Sequence, residues 1–277
     1  MIRLLVVDNN TFEVQWHWHG KNNLPVLVFL HEGLGCVQMW KTFPELLAKE
    51  TGCNGFVFSR LGYGRSGTCR LPWKTNFMHT QALKVLPKLL ATAGIRDHIL
   101  IGHSDGGSIA LIYAGSPHAG RLVGMITEAA HVFCEPVTLA SIRGARHAFL
   151  AGTLREKLAR YHGRNTDIAF WGWNDAWLDP GFVHWNITKY LYRIQVPVLA
   201  IQGKDDPYGT AQQLNAIENG VPDCETQHIE NCGHAPHHEQ PDVVLARMAA
   251  FIKKVSSNSE DHVQMTGSLP AKNDRRH

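Results

Sequence analysis

The chain has 277 residues, 44% hydrophobic and 18% charged, with a formal net charge of +3. That balance supports a buried core in one large domain, or one domain carrying an insertion. With no basic stretch to track a phosphate backbone, it argues against a nucleic-acid binder.

The opening MIRLLVVDNNTFEVQW reads as strand rather than as a secretory signal. Phe12, Val14, Trp16 and Trp18 alternate with Glu13, Gln15 and His17, the period of a half-buried strand. A turn at Asp8-Asn9-Asn10 would join the first two strands as an antiparallel edge. Continuous apolar runs follow at Pro25–Leu30, Asn54–Phe58, His98–Ile101, Leu122–Ile126 and Pro197–Ile201, as expected of strands covered on both faces. Cys224–Ile229 makes a last strand. Helical spacing recurs at Gln38–Glu50, Asn76–Ala93, Ser108–Ala114, Thr210–Asn219 and Asp242–Val255. The alternation predicts an α/β protein with a mostly parallel sheet and helices on both faces.

Cys134–Tyr192 breaks this rhythm: it has no buried-strand pattern, looks helical, and holds Trp171, Trp173, Trp177 and Trp185. The expected organisation is core 1–133, a helical lid 134–192 inserted after the sixth strand, core 193–255, and a disordered tail 256–277, which is polar. No apolar run approaches the ~18 residues of a membrane span. Cys36, Cys53, Cys69, Cys134, Cys224 and Cys232 are scattered without a CxxC pair, so reduced thiols in a cytoplasmic protein are expected. Asn186-Ile187-Thr188 fits a glycosylation sequon but carries little weight without a secretion signal.

Gly102-His103-Ser104-Asp105-Gly106 carries the chemistry. It fits G-x-S-x-G between a buried strand and a helix, where a sharp turn lifts the serine hydroxyl clear of the sheet. A serine needs a base to become nucleophilic, and the motif predicts the chain order Ser, acid, His. Asp205 and Asp206 compete for the acid. Gly233-His234, directly after the last strand, offers the base. His237 and His238, beyond Pro236, read as surface or helix-end residues. No zinc-type spacing accompanies these histidines, so neither metal nor cofactor is expected. The oxyanion donors would be the backbone N–H of Asp105 and that of Gly33, in the loop His31-Glu32-Gly33-Leu34-Gly35. His31 reads as structural.

Over residues 10 to 255 the chain resembles the α/β-hydrolase superfamily. The resemblance is nearest to the lid-bearing branch of valacyclovirase-like esterases, proline iminopeptidases and meta-cleavage-product hydrolases. Ser59-Arg60-Leu61-Gly62-Tyr63-Gly64-Arg65-Ser66 resembles the D-x-x-G-x-G-x-S turn of that family, with Ser59 in place of aspartate. In relatives the acid falls three residues after the strand-ending glycine, which favours Asp206. Glu32 departs from the usual His-Gly start of the oxyanion loop and is a candidate substrate-facing carboxylate, with a loop residue satisfied by local hydrogen bonds as the alternative; Asp105 puts a carboxylate beside the nucleophile. The valacyclovirase-like resemblance implies that such a carboxylate attracts a cationic acyl group; a helix-start aspartate is the alternative. Trp173 and Trp177 are candidate pocket residues, with packing against the core as the alternative. The resemblance implies a serine hydrolase of small carboxylic esters or amides. A carbon–carbon hydrolase, a cofactor-free perhydrolase and a hydrolase-fold receptor are the other readings.

Overall fold

The computed structural model describes residues 2–20 and 24–266, with side chains of the last helix followed to Ser257. Eight strands form one sheet: β1 (Ile2–Val7), β2 (Asn10–His17), β3 (Val26–Leu30), β4 (Gly55–Phe58), β5 (His98–His103), β6 (Leu122–Glu128), β7 (Val198–Gly203) and β8 (Cys224–Ile229). Their spatial order is β1-β2-β4-β3-β5-β6-β7-β8. β1 and β2 pair antiparallel, as do β2 and β4, and the remaining pairs are parallel. The β1–β2 turn holds Asp8 and Asn9 at φ 48° and 62°, a left-handed conformation that Asp and Asn tolerate.

Alternation along the parallel strands divides the core into two layers. Leu27, Phe29, Val57, Ile99, Ile101, Leu199 and Ile201 face α1 (Phe43–Thr51) and the long C-terminal helix. Val28, Leu30, Phe56, Phe58, Leu100, Met125 and Val198 face the other layer, with α2 (Phe77–Thr80), α3 (Leu86–Thr92), α4 (Asp105–Ala114) and α9 (Ala211–Gly220). Both faces are covered, which is why these strands read as unbroken apolar runs.

The expected helix at 76–93 contains a π-helical turn, Gln81–Val85, between α2 and α3. Pro87 lacks the N–H that would continue the ladder there. Between β6 and β7 stand α5 (Pro136–Leu150), α6 (Thr153–His162), α7 (Thr166–Trp177) and α8 (Thr188–Leu191), so this stretch is helical. A short α10 (Pro236–Glu239) precedes the final helix, α11 (Pro241–Thr266). The tail was expected to begin at 256, but α11 continues to Thr266. No Gly or Pro interrupts the sequence from Asp242 to Thr266, so nothing stops the helix at Val255. Residues 267–277 lie outside the described residues. All six cysteines are free. Among the described residues, no helix is long and apolar enough to cross a membrane.

Candidate active site

Loops at the carboxyl ends of β3, β5, β6, β7 and β8 converge on one place, where open α/β sheets bind ligands. Ser104 sits between β5 and α4 at φ 52° and ψ −117°, a backbone that costs a non-glycine residue on the order of 1–3 kcal/mol. The flanking glycines make the turn possible. A Cβ on Gly106 would run into the carbonyl oxygen of Leu30, and one on Gly102 into that of Gly106.

His234 brings its Nε2 to 2.9 Å from Ser104 Oγ and its Nδ1 to 2.8 Å from Asp206 Oδ1. The carboxylate requires Nδ1 to carry a proton, which leaves Nε2 to accept from the serine hydroxyl. Asp206 also accepts from Tyr208 N–H (2.8 Å) and from Gln202 Nε2 (3.3 Å). Burial alone would raise its pKa, but its bonds to His234 and Tyr208 hold it below the ordinary carboxylate value. Asp205 is exposed and takes no part.

The loop after β3 is fixed through one carbonyl. His31 Nε2 accepts from Arg60 N–H (3.1 Å), so His31 Nδ1 carries the proton and donates to Glu32 O (2.8 Å). Gly35 N–H (3.2 Å) and Arg60 Nη2 (2.8 Å) donate to the same oxygen, and Arg60 Nη1 donates to His31 O (2.5 Å). The C=O of Glu32 and the N–H of Gly33 belong to one rigid peptide plane, so anchoring the oxygen also aims the amide. His31 is fully buried and held well below its ordinary pKa by burial and by the Arg60 charge. Among the described residues, neither Gly33 N–H nor Asp105 N–H has an acceptor within the protein. The carboxylate missing at Ser59 comes from another strand. Glu13 Oε2 accepts from Ser59 Oγ (2.7 Å) and from Arg65 N–H (3.0 Å).

A cavity of about 140 Å³ opens on Ser104 and His234. Its floor includes Glu32, Gly33, Asp105 and His131, and its roof is Thr138, Ile142, Trp173 and Trp177 from α5 and α7. Trp173 lies over Gly33, where any Cβ would strike the indole. Trp177 Nε1–H donates to Asp105 Oδ1 (3.1 Å), while Asp105 Oδ2 is buried and has no hydrogen-bond partner among the described residues. Burial raises Asp105 to about 6, against the lowering effect of Arg60 and of the Trp177 bond. Glu32 Oε2 stands 3.5 Å from His103 Nδ1, and His103 Nε2–H donates to His234 O (2.7 Å). Burial works against a charge on His103, but the Glu32 carboxylate outweighs it and lifts the imidazole to about 9. Glu32, in turn, is held well below its usual range: burial would raise it, and His103 more than offsets that.

His237 corrects an expectation. It is buried rather than superficial, with Nδ1 2.5 Å from Glu128 Oε2 at the end of β6, because α10 folds back under the His234 loop. His238 is exposed at the short helix, as expected. The sequence reading missed Arg60, His103, Glu128, His131, Tyr208 and Gln202 as neighbours of the site. His103 and Arg60 lie inside motifs already singled out. Tyr208 and Gln202 flank Asp206 in the chain but belong to no motif, and Glu128 and His131 carry no local signal, because only strand order brings them to the site.

The sequence profile of the Alpha/beta hydrolase family matches residues 27–247, and the chain belongs to that family of hydrolytic enzymes. It is 21% identical, over 271 residues, to a proline iminopeptidase of Lactobacillus helveticus (strain DPC 4571), with 84% of this chain and 91% of that protein covered. The crystal structure of a proline iminopeptidase of Mycobacterium smegmatis superposes with a TM-score of 0.71 at 17% identity, over 94% of this chain and 100% of the other. That of the esterase RhEst1 from Rhodococcus sp. ECU1013 gives 0.69 at 19% identity, over 92% and 99%.

Proposed function

We propose that the protein cleaves a small carboxylic ester through an acyl-enzyme, with Ser104 as nucleophile, His234 as base and Asp206 orienting the imidazole. The carrying observation is the unbroken relay Asp206–His234–Ser104, at 2.8 and 2.9 Å, facing the cavity. In this reading Ser104 Oγ attacks the ester carbonyl while its proton passes to His234 Nε2. The oxyanion is met by the N–H groups of Gly33 and Asp105, both without an acceptor among the described residues. His234 then returns the proton to the leaving alkoxide, and water deacylates the serine by the same steps. The helical segment 134–192 acts as a lid. A cavity near 140 Å³ suits a compact group, since one of about 150 Å³ holds benzene. The free thiols support a reducing compartment such as the cytoplasm. A fluorophosphonate probe should label Ser104; labelling elsewhere in an active preparation removes this mechanism.

The Asp105 carboxylate, beside Ser104 in the cavity lining, favours an acyl group that carries an amine, whether joined as ester or amide. A charge-assisted hydrogen bond contributes about 1.5–3 kcal/mol, or roughly ten- to a hundredfold in selectivity. An aminoacyl ester should therefore exceed its des-amino analogue in kcat/KM, and Asp105→Asn should erase most of the preference. Equal rates on both esters, unchanged by the substitution, leave Asp105 as a helix-start residue.

A further inference from the structure

His131 lines the cavity but has no part in the relay. His131 follows β6 after Ala129, whose φ of 49° turns the chain toward the site. Its backbone is pinned on both sides by one hydroxyl: Ser108 Oγ donates to His131 O (2.6 Å) and accepts from His131 N–H (3.2 Å). The ring packs edge-on against Trp177, with centroids 5.3 Å apart, and lies 6.0 Å from the ring of His234. It lines the cavity beside Ser104 and Asp105.

Of the six other buried histidines, five set the comparison; the sixth, His17, ends β2 outside the cavity lining. His31, His98, His103, His162 and His237 each place a ring nitrogen on a protein partner. Among the described residues, neither nitrogen of His131 has such a bond, and Nδ1 is sealed from solvent. That leaves Nε2 as the nitrogen that can meet the cavity. Burial, with His234 and His103 nearby, pushes the imidazole down to about 3 despite the Asp206 charge, so it is neutral at ordinary pH. Of the two neutral tautomers, Nδ1–H would bury a donor without an acceptor. Nε2–H leaves only a lone pair unmet and offers its proton to the cavity, and an orphaned donor is the costlier of the two.

We propose that His131 is a specificity-determining residue whose Nε2–H donates to an ether or carbonyl oxygen of the substrate, outside the scissile carboxyl group. It selects oxygen-bearing substrates over their hydrocarbon isosteres. The proposal rests on the ester-hydrolase reading above and names the substrate chemistry of that site.

Two isosteric pairs test it. The nitrophenyl ester of 3-methoxypropanoate against that of pentanoate probes the acyl side, and 2-methoxyethyl acetate against butyl acetate probes the alcohol side. His131→Phe keeps a ring against Trp177 and removes the donor. It should cut kcat/KM on the oxygenated member of one pair about five- to tenfold more than on its isostere. His131→Gln, which returns a side-chain N–H, should recover much of that difference. Equal loss on both members, or none, overturns the proposal and leaves His131 as packing. Ring nitrogen NMR of the whole protein, assigned by difference from His131→Phe, should show a non-titrating Nε2–H tautomer. An Nδ1–H tautomer, or titration near 6, overturns it without any substrate. If Ser104→Ala retains esterase activity, the ester-hydrolase reading falls instead, and the NMR result still decides the state of His131.

Discussion

The cavity has two walls built on different physical terms. The floor is made of strand-end loops, and each chemical group there is aimed by backbone geometry. Ser104 is held by a left-handed elbow, and the Gly33 amide by four bonds to two carbonyls, those of His31 and Glu32. The roof is made of helices, and its groups are aimed by packing. Phe149 stacks on Phe170 at 3.7 Å, Trp177 packs on Phe182 at 4.4 Å, and Asn174 ties α7 to α5 through Ile142 O. A reacting group of the floor, Ser104 or His234, should therefore be exchanged with little change in stability and a large change in rate. A roof residue should show the reverse.

The sharpest break of this comparison lies in the floor. Ser104→Ala and His234→Ala should each lower kcat by roughly three to six orders of magnitude with unchanged melting. Asp206→Asn should be severe but milder, because the carboxylate orients the imidazole, and Asp205→Asn should be near neutral. Activity lost in Asp205→Asn but kept in Asp206→Asn would assign the acid to the wrong residue.

Next comes the anchor behind the floor. Arg60→Met removes the side-chain donor to His31 O and one of the three donors to Glu32 O, and so loosens the Gly33 peptide. On the order of a tenfold to a hundredfold fall in kcat is expected, below the loss of an entire oxyanion donor, with KM little moved. A raised KM at constant kcat would instead place Arg60 in ground-state binding.

The roof should answer in stability. Trp177 is almost fully buried, so Trp177→Ala should cost about 3–5 kcal/mol, read as a lower denaturation midpoint. Trp177→Phe keeps most of the volume and removes the N–H to Asp105, so it should alter the order of preferred esters with a smaller loss of stability. An unchanged order of preference would leave Trp177 as packing alone.

The smallest effect lies in the brace between the oxyanion loop and the base loop, Glu32 to His103 to His234 O. His103 is raised to about 9, so the native state holds its proton where the unfolded chain releases it. The stabilisation is fully present below pH ~6.5 and lost as pH rises toward 9, amounting to no more than about 3 kcal/mol. Melting temperature should fall over that window in the parent protein, and Glu32→Gln should flatten the fall. An identical slope in both would show that Glu32 does not hold the proton on His103.

The sequence by itself determined the parts whose physics is local. An unbroken apolar run means a strand covered on both faces, glycines two residues either side of Ser104 mean a turn no bulkier residue can make, and the order Ser, Asp, His follows the strand order. Hence Ser104 and His234 could be named as candidates from local pattern, while Asp206 is preferred to Asp205 only through the resemblance to relatives; the structure brings Ser104 and Asp206 within hydrogen-bond reach of His234. Tertiary structure alone decided what surrounds them. Glu13 reaches across 46 positions to stand in for the carboxylate absent at Ser59. His237, 109 positions from Glu128, is buried against it although it follows a proline that reads as surface. Glu32 turns to His103, and His131 lines the cavity with its Nδ1 buried and without a partner among the described residues. None of these contacts leaves a period or a spacing in the chain, because each joins residues on different elements whose adjacency exists only once the sheet has closed.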